Sequence, residues 1–343
     1  MVIHYKCPNC GDDMHFDAKT GTLTCPACGR KDQIDDFPQD HIQEMFTDEE
    51  VNEYHCENCG AVLLTDKNTA ATKCSYCGAG VVLADRLTGA IAPQLVIPFA
   101  ISKEEAIAGF KKWARKRLLA PAGFMNADRI KDITGVYVPF WLYDLDSDVE
   151  VHAIGTRVRT YVKGDYIYTE TKYYQLYRDI YLKYNKIPID ASVKMDDELM
   201  DKLEPFPYNQ LKDFQFPYLA GYYAEKYQYD DEELFPRAKS KVRKFIDSFI
   251  YSTMTGYTNV QIQDKMIHTK KLSASYALLP VWVFTYDHNR EEYLFVMNGQ
   301  TGKIVGKPPI SLGKVAAWYS GITAGTFLLF RLITLAIAGG WFS

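Results

Sequence analysis

Apolar positions follow three rhythms along this chain, and each predicts a different kind of element. Two stretches of the middle region repeat at helical spacing. Ser102-Lys103-Glu104-Glu105 reads as a capping box opening a helix to about Leu119, with Ile107, Phe110, Ala114 and Leu118 on its apolar side. A second helix starts in the acidic run Asp230 to Glu233, tolerates Pro236 in its first turn, and carries Leu234, Ala238, Val242, Phe245 and Phe249. Both are expected to end basic, with Lys111, Lys112, Arg115, Lys116 and Arg117 in the last turns of the first and Lys241, Arg243 and Lys244 at the end of the second. Cations there complement the helix dipole, and a membrane-surface or phosphate patch is the competing reading.

The second rhythm is extended. Val136 to Tyr143 and Ala277 to Phe284 contain Pro139-x-Trp141 and Pro280-x-Trp282, two Pro-x-Trp elements 141 residues apart. Turns are expected at Asp144 to Ser147 and Asp287 to Asn289, each followed by another strand, with the second hairpin closing at Asn298-Gly299-Gln300-Thr301-Gly302-Lys303. Residues 161–184 hold eight tyrosines around a Gly164-Asp165 turn, which predicts cross-strand tyrosine packing, with a base-stacking or peptide-binding face as the alternative. The sum of these signals is a duplicated α+β body with antiparallel sheet.

The third rhythm is unbroken apolarity from Val315 to Phe342, where the one charged residue is Arg331. That length suits one transmembrane helix of about 20 residues, and Trp318, Tyr319 and Trp341 near its ends suit interfacial anchoring; a buried core helix is the competing reading. Lys303, Lys307 and Lys314 precede it and no charge follows, so the expected topology is single-pass in the cell membrane with a cytoplasmic N-terminus. The stretch Met1 to Lys6 has no hydrophobic signal region. Ala317, Gly321, Ala324, Gly325, Leu328 and Arg331 recur at helix-neighbour spacing and include a Gly-x-x-x-Gly pair, a candidate helix-interaction side. A guanidinium at depth costs at least about 2.5 kcal/mol on insertion scales, so a polar residue on a heteromeric transmembrane partner or snorkelling to the headgroups would offset it.

Eight cysteines supply the candidate chemistry. They form four CxxCG knuckles, Cys7/Cys10, Cys25/Cys28, Cys56/Cys59 and Cys74/Cys77, with fourteen residues between the knuckles of each pair and a period of 49 residues between pairs. Four thiolates on two hairpin knuckles make a closed tetrahedral zinc site, so two structural Zn2+ ions are expected; disulfides and rubredoxin-like iron are the competing readings. A ribbon of about 25 residues has too little core to fold unaided, which makes metal binding and folding one equilibrium. Thiolates in all four positions leave no place for a hydrolytic water.

Charge narrows the classes further. The net charge is −4, but residues 1–80 carry 14 acidic against 6 basic side chains, and residues 31–55 alone carry nine acids against one base. Nucleic-acid binding calls for the opposite sign and is disfavoured. His152, His268 and His288 are scattered, and no GxGxxG, Walker, GxSxG or HExxH pattern occurs, so nothing in the sequence argues for an enzyme. The expected organisation is ribbon 1 over 1–30, acidic linker over 31–55, ribbon 2 over 56–90, the duplicated α+β domain over 91–310 and the anchor over 311–343.

The twin ribbons, Ile187-Pro188-Ile189-Asp190-Ala191-Ser192 leading to Leu203-Glu204-Pro205-Phe206, the run from Tyr218-Leu219-Ala220-Gly221-Tyr222 to Tyr227, and Leu279-Pro280-Val281-Trp282 with Asn298 to Gly302 together resemble the bacterial TFIIB-type zinc-ribbon-containing membrane proteins. The resemblance spans essentially the whole chain. It implies a double zinc ribbon, a duplicated body and a C-terminal membrane helix. Because some such proteins are encoded near phage-shock-type and SPFH-domain proteins, it also implies by analogy a cytoplasmic protein partner and a role in envelope stress. The leading expectation is therefore a membrane-anchored cytoplasmic adaptor that recruits protein partners. A nucleic-acid-associated zinc-ribbon factor and a membrane-surface enzyme with an unrecognised site are the alternatives.

Overall fold

The computed structural model describes residues 2–3, 5–36, 51–55, 62–66, 69–73, 79–83, 92–121, 124, 130–288 and 291–338. The elements begin with β1 (Val2–Ile3), β2 (His15–Asp17), β3 (Thr22–Thr24), β4 (Lys31–Asp32), β5 (Val51–His55), β6 (Val62–Asp66), β7 (Thr69–Lys73), β8 (Gly80–Leu83) and β9 (Leu95–Val96). They continue with α1 (Lys103–Arg115), β10 (Ile130–Lys163), β11 (Tyr166–Asp190), α2 (Asp197–Leu203), β12 (Lys212–Asp213), β13 (Tyr223–Glu225) and α3 (Asp231–Ser252). Last come β14 (Asn259–His288), β15 (Glu291–Asn298), β16 (Ile304–Gly306) and α4 (Leu312–Ala338). The class is α+β, as expected. Two compact units result, one of Met1–Pro98, Val136–Asp201 and Pro207–Pro280, the other of Phe99–Gly135, Lys202–Phe206 and Val281–Ser343.

In the first unit β10 pairs antiparallel with β11 and parallel with β13, while β9 lies parallel to β14. The expected turn at Asp144 to Ser147 is absent. β10 runs through it to Lys163 with only a register shift between Tyr143 and Leu145. Asp144 finds partners inside the sheet, accepting from the Lys186 amide at 2.9 Å and the Ser273 hydroxyl at 3.0 Å, so the polar residues that suggested a turn are satisfied without one. The Gly164 turn is where it was expected, with Gly164 at φ 64°, and Tyr161 stacks on its cross-strand partner Tyr168 at 5.6 Å between ring centroids.

α3 begins with a capping box in which the Asp230 carboxylate accepts from the Glu233 amide and the Glu233 carboxylate from the Asp230 amide. It buries Ala238, Val242, Ile246 and Ile250, a strict i, i+4 row, against Tyr143, Leu145, Val149, Val151 and Leu176. Each larger side chain of that row contributes about 1.5–3 kcal/mol by leaving water. Two expectations fail here. Phe245 and Phe249 are exposed, at 56% and 44%, because they lie one residue round from the buried row. Lys241, Arg243 and Lys244 stand in mid-helix, and the last turn carries no base, so the dipole does not account for them. Trp141 donates from Nε1 to the Tyr229 carbonyl at 2.9 Å, just before the α3 N-cap.

In the second unit α1 has the predicted capping box on Ser102 and Glu105 but stops at Arg115, which leaves Leu118 62% exposed instead of on the apolar side. Phe110 stacks on Phe284 at 4.8 Å and meets Phe295 edge-on at 5.3 Å. Phe124 completes the cluster through Tyr286 at 4.9 Å. Trp282 donates to the Ile101 carbonyl at 3.0 Å, just before the α1 N-cap. Asn298 closes the last hairpin as expected: its Oδ1 accepts from the amides of Gln300 and Thr301 while Nδ2 reaches the Leu203 and Pro205 carbonyls. Just before α4 the Ser311 amide donates to the Leu119 carbonyl, and in its first turn Lys314 donates from Nζ to the Ala120 carbonyl at 2.6 Å. Its segment Leu312–Leu335 is long and apolar enough to cross a membrane, and none of it is buried, so it is not a core helix.

Candidate metal centre

The first ribbon is a three-stranded antiparallel sheet in which Phe16 pairs with Leu23 and Leu23 with Asp32. Its two knuckles have the same backbone. The Gly11 amide donates to the Cys7 carbonyl at 2.8 Å and the Gly29 amide to the Cys25 carbonyl at 2.9 Å, and both glycines adopt positive φ, 77° and 74°. That turn brings the second cysteine of each knuckle back over the first. Ligand atoms of Cys7, Cys10, Cys25 and Cys28 all lie within 4.8 Å of one another, with Cys7 to Cys28 and Cys10 to Cys25 at 3.5 Å between sulfurs. A tetrahedral site with zinc–sulfur bonds of 2.3 Å spaces its sulfurs by about 3.8 Å, so these residues fit one zinc and leave no open position.

Cys7 and Cys25 are buried and Cys10 and Cys28 exposed. The four thiols share protons: the Arg30 backbone amide, then the Asn9 side chain and the Cys10 thiol, pull the Cys28 thiol down to about 6, while, against the lowering pull of the Asp12 backbone, hydrogen bonds with Cys25 and Cys28 push the Cys10 thiol up to about 12. Lys6 pairs with Asp13 at 2.7 Å, and Arg30 holds Asp32 at 2.9 Å, so charged side chains brace the sheet beside the knuckles.

The ribbon also packs on the 218–222 segment of its unit, which the sequence did not reveal. Phe16 packs edge-on against Tyr218 at 5.4 Å and lies tilted against Tyr222 at 6.4 Å, and its amide donates to the Ala220 carbonyl at 3.0 Å. Gly221 sits at φ 87°, where a Cβ would come within 2.8 Å of the His15 imidazole, so glycine is required on both conformational and steric grounds. Burial, followed by the charge of Lys73, lowers the His15 pKa. The knuckle tips Pro8, Asn9, Pro26 and Ala27 stay exposed.

Cys56, Cys59, Cys74 and Cys77 lie outside the described residues. The strands around them are described: β5 ends at His55 and pairs with β6 from Val62, and β7 ends at Lys73 and pairs with β8 from Gly80. On α4 the structure brings Arg331 into one groove with Thr323, Thr326, Phe327, Phe330 and Thr334. Ala317, Gly321, Ala324 and Gly325 are not part of it, and a Cβ added at either glycine would meet nothing within 4 Å.

A second group of titratable residues was missed. Asp190, buried at the end of β11, has Arg237 Nη2 at 2.8 Å, yet neither carboxylate oxygen receives a well-directed donor. Arg237 also contacts Asp197 at 2.9 Å and Asp201 at 3.4 Å, and Lys241 contacts Asp201 at 3.0 Å. Asp197 and Asp201 are four apart on α2, as are Arg237 and Lys241 on α3, and that matched spacing was the available signal. Burial pushes the Asp190 pKa up to about 6 against the opposing pull of Arg237, with Asp197 adding to the rise. The folded value lies above the unfolded one. The protonated carboxyl therefore contributes stability that is fully present below about pH 4 and is lost as pH rises through about 6. After correction for intrinsic rates, α3 amides should exchange faster at pH 7 than at pH 5 in the wild-type chain. Asp190→Asn should flatten that profile, because Arg237 keeps Asp197 and Asp201, and an unchanged profile would remove Asp190 as the titrating group.

The TFIIB zinc-binding family model matches residues 5–44, the stretch that contains the four clustered thiols. The protein described as "Uncharacterized protein YdjG" from Bacillus subtilis (strain 168) is 63% identical over 341 residues, covering 99% of this chain and 100% of that relative. No solved structure matches. With a zinc-ribbon site at its start and such identity along its whole length, the chain belongs to the same family as Bacillus subtilis YdjG.

Proposed function

We propose that this protein is a membrane-anchored scaffold whose zinc ribbons and acidic linker face the cytoplasm and recruit a protein partner to the membrane. The observation that carries this reading is the juxtaposition in one chain of a closed four-thiol site with exposed knuckle tips and an unburied helix of membrane-spanning length. A closed tetrathiolate ion is structural, so it displays a surface and performs no hydrolysis. Cys56, Cys59, Cys74 and Cys77 would form a second site by the same spacing, giving two zinc ions per chain. By analogy with the family resemblance, the partner would be a phage-shock-type or SPFH-domain protein in an envelope stress response.

The body reads as a duplication. Each half supplies a capping box, and each Pro-x-Trp indole donates to the carbonyl just before the N-cap. The strand before one helix lies parallel to the strand after the other, β9 with β14 and β13 with β10. Asp190 stands opposite Phe140 as Asn298 stands opposite Val281.

The linker tests recruitment. Neutralising Asp35, Asp36, Asp48, Glu49 and Glu50 to Asn and Gln should lower capture of the native partner from cross-linked membranes several-fold and flatten its salt dependence, with α4 still inserted. Equal capture by both chains over a salt series would leave the linker as a solvated spacer and remove its recruiting role.

A further inference from the structure

Arg331 is the feature of α4 that the anchor alone does not explain. The shallow, open groove it shares with Thr323, Thr326, Phe327, Phe330 and Thr334 runs along one exposed flank of the helix. The threonine hydroxyls are already used: Thr323 donates to the Tyr319 carbonyl, Thr326 to the Ile322 and Thr323 carbonyls, and Thr334 to the Arg331 carbonyl. The guanidinium is not. α4 contains no aspartate or glutamate, and among the described residues the Arg331 guanidinium has no hydrogen-bond or ion partner. A helical side chain leans toward the N-terminus of its own helix. Arg331 therefore covers the turn at Phe327, inside the groove, and leans away from the nearer end of α4 at Ala338. From Trp318, the first interfacial aromatic, to Arg331 is 13 residues, about 20 Å of rise in a hydrocarbon core of about 30 Å. Snorkelling to the far headgroups would require the side chain to point against its helical preference.

We propose that this flank of α4 is a docking groove for a transmembrane helix of a different protein that carries a carboxylate level with Arg331. Charge decides among the occupants. A second copy of α4 laid parallel in the groove would set guanidinium against guanidinium in a low-dielectric medium, whereas an Asp or Glu helix supplies the missing counter-ion and a charge-assisted hydrogen bond. The unpaired small side of the helix at Gly321 and Gly325 is left free for lipid. The inference rests on the membrane-anchored reading above and names the partner that the anchor would take.

The test uses the full zinc-loaded chain in phosphatidylcholine vesicles with a labelled polyleucine transmembrane peptide that carries one glutamate at its midplane, or leucine in its place. Association is read by energy transfer. The glutamate host should associate about tenfold more tightly than the leucine host, Arg331→Leu should bring the two level, and Arg331→Lys should keep part of the preference. Thr323→Leu with Thr326→Leu, which fills the groove without touching the charge, should weaken the glutamate host about threefold. Equal association of the two hosts with the wild-type chain, a preference that survives Arg331→Leu, or self-association of the chain that outcompetes the glutamate host would each overturn the proposal. Alkaline carbonate separates the levels: a chain it extracts overturns the anchor and the groove together, while a resistant chain without host preference overturns the groove alone.

Discussion

Cys7→Ser is expected to release one zinc per chain and to unfold the first ribbon while the rest of the first unit stays folded. The reason is the size of the ribbon's own core. Apart from Cys7 and Cys25, it buries Met14, Phe16, Leu23 and Ile34, which is too little apolar area to offset the ordering entropy of about 30 residues. Metal binding closes that gap, with apparent energies of about 10–16 kcal/mol at neutral pH for structural zinc sites of this type. Serine cannot replace a thiolate ligand, and Cys7 is buried, so no water can substitute without opening the knuckle. Metal analysis should fall from about two zinc ions per chain to about one, if the second cysteine set holds its own ion. The loss should also be felt at a distance in sequence. Tyr218 loses its edge-on contact and Tyr222 its tilted contact with Phe16, and amides of the 218–222 segment should exchange much faster. An unchanged zinc content in Cys7→Ser would dismiss the four-thiolate site, and fewer than about two zinc ions in the metal-replete wild type would dismiss the second one.

The next largest effect is expected from Phe110→Ala, at about 3–5 kcal/mol of destabilisation. Phe110 is 2% exposed and contributes to four ring contacts in the second unit, stacked on Phe284 and Trp113 and edge-on to Phe124 and Phe295. Truncation removes the ring's transfer energy, leaves a cavity that four other aromatics cannot collapse into, and deletes pairs worth about 0.5–1.5 kcal/mol beyond their buried area. Thermal unfolding of the full chain in neutral detergent should show the transition of that unit lowered by about 10 °C or more. The control comes from α3. Phe245→Ala removes a ring of the same size from an exposed site and should change stability by less than about 0.5 kcal/mol, while Ile246→Ala, one residue on, should cost about 2–5 kcal/mol. Equal losses for Phe245→Ala and Ile246→Ala would mean that α3 buries a broader side than the structure gives it.

What the sequence determined by itself was whatever a few neighbouring residues can settle. The CxxCG knuckles were legible because a metal site of this kind is written as ligand spacing, and the structure brings Cys7, Cys10, Cys25 and Cys28 together as that spacing requires. The capping box at Ser102, the acidic start of α3 at Asp230, the Gly164 turn and the Asn298 to Lys303 closure were legible for the same reason, since each satisfies its hydrogen bonds within three to five residues. The length and apolarity of α4 belong to the same class.

Tertiary structure decided the rest. Phe245 and Phe249 and the pair Ile246 and Ile250 are equally apolar to a reader of the sequence, and only the sheet that α3 lies on selects the isoleucines. Asp144 to Ser147 has turn composition, but Lys186 and Ser273, 42 and 129 residues away, satisfy Asp144 and let β10 run straight through. The Asp190 pKa rises because folding buries the carboxyl, with Arg237 from α3 and Asp197 from α2 brought beside it. The seat of the first ribbon on Ala220 and Gly221 joins residues about 200 apart, and its one local trace is a glycine whose positive φ and missing Cβ have meaning only once His15 is beside it. A hydrogen bond or a ligand that closes over a few residues costs little chain entropy and leaves its mark in the local sequence, whereas burial depends on whatever lies across the interface, and no local pattern records that.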